Sequence, residues 1–273
     1  MAVQRKLLSI FHALAWALTV GVLIHLHPLE MPVDLPFVYF ITPTYTRTTQ
    51  KADLTRLANT LGHVPNLHWI VVEDAAVRSP MVELVLSKSN VPYTHMNIST
   101  PAFCKKGCVA RGTEQRNLGL DWLRGNRGPV DSGVVYFGDD DNTYDLELFT
   151  QIRYTKGVSV FPVGLVAARL YERPIVRNGE IVDWYTGFRG RKFNVDMAGF
   201  AVNLHLLLAK PKARFILKGA RGGHQETDFL SLLTKVEDLE PLANNCTKVL
   251  VWHTRTEKPY LRGQSKDIIA VEV

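Results

Sequence analysis

The sequence predicts an α/β fold: a mostly parallel sheet flanked by helices, a mixed second half, and one transmembrane helix ahead of both. Three observations carry that expectation. From Phe37 onward, short β-branched strands alternate with helix-length segments, the pattern of strands joined by crossover helices. Several strands break abruptly into charged residues where they end. The run from Leu7 to Leu26 is mostly apolar, and roughly twenty such residues cross a bilayer as a helix.

Each element follows in order. Phe37 to Thr42 reads as a strand and Thr48 to Leu61 as a helix. Leu67 to Val72 is a second strand, ending at Glu73-Asp74, and a helix at Pro80 to Ser87 leads to a strand at Pro92 to Ile98. Gly112 to Leu123 is helical, with Leu118, Leu120, Trp122 and Leu123 among its apolar positions, and Gly133 to Phe137 is the next strand. The second half is mixed. Strands are expected near Val158 to Val166 and at Met197 to Val202, a helix near Thr227 to Thr234, and a last strand at Val249 to Trp252. No internal repeat interrupts the chain.

A chain of 273 residues accommodates one large domain or two small ones. Hydrophobic content of 46% and charged content of 21% are near globular averages and exclude long disordered tracts. The net charge of +6 is spread rather than gathered into Lys/Arg blocks, so no nucleic-acid partner is expected. Arg5-Lys6 precedes the apolar run, and no small-residue cleavage site follows at His25-Leu26-His27-Pro28. That combination predicts an uncleaved signal anchor, with residues 1–6 cytoplasmic, 7–26 in the membrane and a luminal body. Residues 27–36 would be a short stem.

Cys104 and Cys108 are spaced to close a small loop disulfide in an oxidising compartment. No further Cys or His stands near them to complete a zinc site. Cys246 is left over, as a buried thiol or an intermolecular bridge. Asn97-Ile98-Ser99 and Asn245-Cys246-Thr247 are N-glycosylation sequons.

The most informative segment is Val134 to Tyr144, where a buried-type strand runs into Asp139-Asp140-Asp141. Three adjacent carboxylates repel one another and are costly near a core. A divalent cation shared with substrate phosphates accounts for them, since carboxylate and water oxygens suit Mg or Mn. Ligands of open α/β sheets also bind beyond the strands' carboxyl ends. A metal-diphosphate site for a nucleotide-sugar is therefore expected, against the plainer alternative of a solvated acidic turn. Other strand ends add candidates: Tyr45 to stack on a base, Asp74 to accept from a uracil N–H or ribose hydroxyl, and Arg111 and Arg116 to meet phosphate or carboxylate. Taken singly, each also fits a cap or a solvated helix face. His253 and Arg255 follow the last strand, and the Gly-rich Arg221 to Asp228 enters a helix whose first turn carries Glu226 and Asp228.

Together these motifs resemble a known family. Thr42–Tyr45, Val72–Asp74, Arg111–Asn117, Val134–Tyr144, Gly157–Leu165, Val195–Val202, Arg221–Glu226 and Val249–Pro259 are similar, in wording and in order, to the animal β1,3-glucuronosyltransferases. The resemblance implies a GT-A fold, with a donor-nucleotide half at 37–141 and an acceptor half at 142–273. It implies a Golgi type II membrane protein, a homodimer, and Mn-dependent inverting transfer of glucuronic acid from UDP-glucuronate to the 3-hydroxyl of a terminal galactose. The expected acceptor is the Gal-Gal-Xyl linker of proteoglycans, the alternative an N-acetyllactosamine-type glycoprotein or glycolipid. By the same carry-over, Pro43, Thr44, Tyr45, Asp74, Arg111, Arg116, Asp139 and Asp140 hold the donor and Asp141 ligates Mn. His253, Thr254 and Arg255 meet the diphosphate, and Glu172, Phe188, Arg191 and Asp196 bind the acceptor. Glu226 is the expected general base, kept ionised by the positive end of its helix. Two departures from the linker enzyme stand out: Phe188 replaces a tryptophan, and Gly222-Gly223 adds one residue before Glu226.

Overall fold

In the computed structural model, which describes residues 35–104 and 111–260, the run Phe37–Thr44 forms the first strand, β1. The expected tail, anchor and most of the stem lie outside the described residues, as does Cys108. Among the described residues no helix is long and apolar enough to cross a membrane.

A seven-stranded sheet forms the centre, and most elements of its first half fall where the residue pattern puts them. β2 (Leu67–Glu73), β3 (Tyr93–Asn97) and β4 (Gly133–Phe137) join β1 as parallel strands. Between them run α1 (Gln50–Leu61), α2 (Pro80–Ser87) and α3 (Thr113–Asn126). Side chains of β1 alternate between two apolar layers. Val38 and Phe40 pack with Leu54, Leu57 and Leu61 of α1 and with Val82 and Leu86 of α2. Tyr39 and Ile41 pack with Leu120 and Leu123 of α3 and with Phe229 and Leu230 further on. Both faces are therefore covered, which is why these strands read as unbroken apolar runs.

After α3 the chain enters β5 (Thr143–Tyr144), α4 (Leu146–Ile152), β6 (Val158–Val160) and β7 (Val163–Val166). A hairpin follows, β8 (Arg169–Arg177) and β9 (Glu180–Tyr185). Then come β10 (Phe200–Asn203), α5 (Leu204–Ala209), α6 (Gln225–Ser231), β11 (Leu239–Pro241) and β12 (Val251–Trp252). The central sheet has the order β11-β6-β10-β4-β1-β2-β3, with β10 antiparallel to both neighbours. A second sheet has the order β5-β12-β7-β8-β9. Since β1 leads to β2 on one side and the chain returns as β4 on the other, the strand order reverses between β1 and β4. A crevice opens at such a reversal, beyond the strands' carboxyl ends.

The second half departs from the sequence reading in several places. The expected strand from Met197 begins instead as a 3-10 turn, Met197–Gly199, because the Asp196 carboxylate accepts from the Ala198 N–H (2.9 Å). The expected strand Val158–Val166 divides at Phe161-Pro162, each half joining a different sheet. The β8–β9 hairpin was not anticipated, because its charged residues hide the period-two pattern.

Two polar features brace the frame. His95 on β3 turns one ring nitrogen to Glu83 (2.8 Å) and the other to buried Glu73 (2.9 Å). Glu73 also accepts from the N–H and hydroxyl of Ser79 (both 2.7 Å), and Ser79 caps α2. Cys104 is disulfide-bonded. Cys246 is a buried free thiol in a left-handed turn, Ala243–Cys246, near the Val160 carbonyl (3.4 Å). Burial pushes that thiol up to about 12. Of the sequon asparagines, Asn245 is exposed, whereas Asn97 is half-buried and donates to the Ala75 carbonyl (3.1 Å).

Gly138 closes β4, and a Cβ there would lie 2.0 Å from the Phe40 ring. Gly138→Ala must therefore overpack the core directly behind the Asp triplet. The expected loss is about 1–3 kcal/mol in urea unfolding, and a stability equal to that of the parent would show that the contact relaxes freely.

Candidate active site

The Asp triplet sits where β1 and β4 end side by side. The Gly138 N–H still donates to the Ile41 carbonyl (3.0 Å), so pairing with β1 lasts one residue past the strand before the chain turns out. The three carboxylates then meet different partners. Arg116 of α3, itself buried, donates to Asp139 (2.6 Å). Asp140, also buried, accepts from the Thr44 hydroxyl (2.6 Å) and from Arg47 (2.9 Å). Burial pushes Asp140 up to about 6, although Arg47 and Thr44 pull it down. The Asp141 carboxylate has no hydrogen-bond or ion-pair partner among the described residues. Burial raises its pKa, and the Asp139 charge adds to the rise.

The chain after β12 is laid against this triplet. The Thr254 hydroxyl donates to the Asp141 carbonyl (2.6 Å), and the His253 N–H to the Gly164 carbonyl (2.9 Å). His253, Thr254 and Arg255 thereby line a cavity of about 880 Å³ that also takes in Glu172, Phe188, Arg191, Asp196 and Glu226. All four expected acceptor residues and the expected base thus share one cavity with the expected diphosphate residues. The remaining donor candidates are grouped near the triplet. Tyr45 exposes its ring at the end of β1, and Pro43 approaches Gly112, beside exposed Arg111. Asp74 caps no helix. Both of its oxygens are already engaged by Thr100, through the N–H and the hydroxyl (2.6 Å each).

Within the cavity the side chains brace one another. Glu172 is buried and accepts from the Thr186 hydroxyl and the Gly187 N–H (2.6 Å each), fixing the turn that carries Phe188. Arg191 lies over the Phe188 ring (5.1 Å) and donates to the Gly223 carbonyl (3.0 Å). It also lies 3.8 Å from Glu226. Gly223 has φ +68°, and a Cβ on it would press into Phe188 at 3.0 Å. The second glycine of the Gly222-Gly223 pair is therefore required both by its backbone and by its neighbour.

Glu226 differs from the sequence expectation. It does begin α6, but burial, with the charge of Asp196 next, pushes its carboxyl up to about 7, and Arg191 only partly opposes the rise. The helix start does not keep it firmly ionised. Its Oε2, the oxygen 3.8 Å from Arg191, is buried without a hydrogen-bond partner. A half-buried, poised carboxyl in a cleft is what general acid–base chemistry requires. Asp196 is raised by burial in the same way.

Sequence reasoning missed Arg47 and Asp53. Asp53 is fully buried on the same face of α1 as Leu54, Leu57 and Leu61, and it binds Arg47 (2.8 Å). An acidic residue on an otherwise apolar helix face was the available signal.

Manganese fits this geometry in a limited way. Among the described residues, no group of three or more His, Cys, Asp or Glu side chains is arranged to hold a metal ion. One unpartnered carboxylate, Asp141, remains, next to Asn142, a buried side chain with both polar atoms unpaired. A donor set of that kind suits an ion that takes its other ligands from a diphosphate and water.

Raising Glu226 from 4.5 to about 7 means that the folded chain holds this proton more tightly than the unfolded chain. The resulting stability is complete in acid and is lost as pH rises through about 7. Glu226→Gln is therefore expected to stabilise the protein by about 1–3 kcal/mol near pH 8 and by little near pH 4, compared by urea unfolding. Equal effects at both pH values would show that the carboxyl is not raised.

Comparison with known proteins agrees with this geometry. Residues 57–257 match the model of Glycosyltransferase family 43. Galactosylgalactosylxylosylprotein 3-beta-glucuronosyltransferase 2 of Homo sapiens is 56% identical over 246 residues, covering 88% of this chain and 76% of that protein. The Canis lupus familiaris form is 54% identical over 255 residues, covering 91% and 77%. Galactosylgalactosylxylosylprotein 3-beta-glucuronosyltransferase 1 of Rattus norvegicus is 52% identical over 242 residues, covering 85% and 72%. The matched segment runs from α1 to the cavity residues after β12, and the chain belongs to glycosyltransferase family 43.

Proposed function

We propose that the chain is an inverting GT-A glycosyltransferase that moves glucuronic acid from UDP-glucuronate to the 3-hydroxyl of the terminal galactose of a Gal-Gal-Xyl acceptor. The observation that carries this proposal is the shared cavity. Glu226, with one oxygen free of hydrogen bonds, faces the same space as His253 and Arg255, whose segment is fastened to the Asp141 carbonyl. Family membership and the names of the relatives support the reaction class and the acceptor.

In this proposal Tyr45 stacks on the uracil, while Arg111, His253 and Arg255 meet the anionic donor. Asp139 and Asp140 shape the nucleotide side, already oriented by Arg116 and Arg47. Asp74 positions the Thr100 segment and meets the nucleotide through whatever lone pairs Thr100 leaves. Mn would be held by Asp141 and the donor phosphates, where a bound cation offsets the charge on departing UDP. Galactose binds across Glu172, Asp196 and Arg191, with one face against the Phe188 ring. Its O3 forms a bond to the anomeric carbon while that carbon's bond to UDP breaks. The O3 proton passes to Glu226, and UDP leaves with the bonding pair. Phe188 and the Gly222-Gly223 pair shape the acceptor wall differently from a tryptophan, which favours an N-acetyllactosamine-type acceptor as a second reading.

The rest of the proposal rests on sequence. Arg5-Lys6 ahead of the apolar run 7–26 supports a Golgi signal anchor with a luminal body, and the family resemblance supports a homodimer.

Glu226→Gln should lower kcat by about 10²–10⁴ while leaving UDP binding intact. The acid limb of the parent's pH profile, set near 7, should vanish with it. If Glu226→Gln turned over normally while Asp196→Asn was dead with UDP still bound, the base would be Asp196. Activity should be lost in excess chelator and in Asp141→Ala. A donor panel decides the sugar: equal turnover of UDP-glucose or UDP-galactose would remove glucuronate from the assignment.

A further inference from the structure

We infer that Asp53, a residue that never meets substrate, positions the donor site by tying the segment after β12 and Arg47 to one buried charge. The inference rests on the donor-site proposal above. Asp53 is fully buried on α1, and both of its oxygens are filled. Oδ2 accepts from Arg47 (2.8 Å) and the Thr49 hydroxyl (2.9 Å). Oδ1 accepts from Arg56 (3.1 Å) and from the hydroxyl of Thr256 (2.5 Å), 203 residues further along the chain. A buried carboxylate without such donors would be strongly unfavourable, so the cluster is a fixed point rather than a solvated ion pair.

Two arms run from that point into the site. Through Thr256, Asp53 holds the end of the segment that carries His253 and Arg255. Thr254 pins the other end to the Asp141 carbonyl, which Arg56 also approaches (3.3 Å). Through Arg47, whose guanidinium also reaches Asp140 and lies over the Tyr45 ring (4.9 Å), Asp53 orients a carboxylate of the triplet and the exposed tyrosine. One carboxylate thus sets the relative placement of the expected base-stacking, metal-side and diphosphate-side groups. None of its contacts reaches the acceptor residues Glu172, Phe188 or Asp196.

That asymmetry makes the role testable. Asp53→Asn keeps the shape but replaces one acceptor oxygen with an NH₂ group, which faces donors. Thr256→Val removes one arm from a half-buried position and is the milder change. Both variants should weaken UDP binding by calorimetry and raise the donor KM by about tenfold, the scale of one hydrogen bond to a charged group. The acceptor KM should stay within about twofold. Thr256→Ser, which retains the hydroxyl, should restore donor binding. Unchanged UDP affinity in Thr256→Val would overturn the inference, as would equal losses for donor and acceptor. A parent protein that fails to bind UDP would instead sink the donor-site proposal itself.

Discussion

The structure depends on how charge is neutralised at the end of β4. A strand buried on both faces delivers three consecutive carboxylates to the rim of the core, which is untenable unless cations arrive from elsewhere. They come from two directions. Arg116 comes from α3, whose close packing on β1 leaves no room for a side chain at Gly119. Arg47 comes from the loop between β1 and α1. A helix that covers one face of the sheet and the loop that leads into a helix on the other thus also make the triplet tolerable, and fold and site are held by the same contacts.

Only two of the three charges are matched, and the cavity nearby repeats the theme differently. Asp139 and Asp140 each meet an arginine closely (2.6 and 2.8 Å), whereas Glu226 lies 3.8 Å from Arg191, and burial raises the carboxyls of Asp140, Asp196 and Glu226 alike. The His253 side chain opposes part of the rise that burial causes at both Asp141 and Asp196.

How much of this was legible in the residues depended on burial. Strands covered on both faces announce themselves as apolar runs, so β2 and β4 were placed to within a residue. The β8–β9 hairpin, half-solvated and carrying Arg and Glu among its apolar positions, was invisible to the same pattern. The triplet was legible because three adjacent carboxylates after a buried strand demand an explanation. Arg47 and Asp53 were not, because each looks ordinary until tertiary contact joins residues 47, 53, 140 and 256. The protonation of Glu226 was misjudged for a related reason. A helix start is a local feature, but the desolvation that outweighs it comes from the whole surrounding fold.

The turn at Ala243–Cys246, which buries its cysteine, bears on how the chain reaches this state. Thiol–disulfide exchange requires both access and thiolate, and Cys246, enclosed and raised to about 12, offers neither in the folded chain. Native Cys246 is therefore expected to resist oxidants and alkylating reagents until this part of the molecule opens. The same residue that threatens mispairing during folding becomes, in the finished protein, an internal reporter of unfolding.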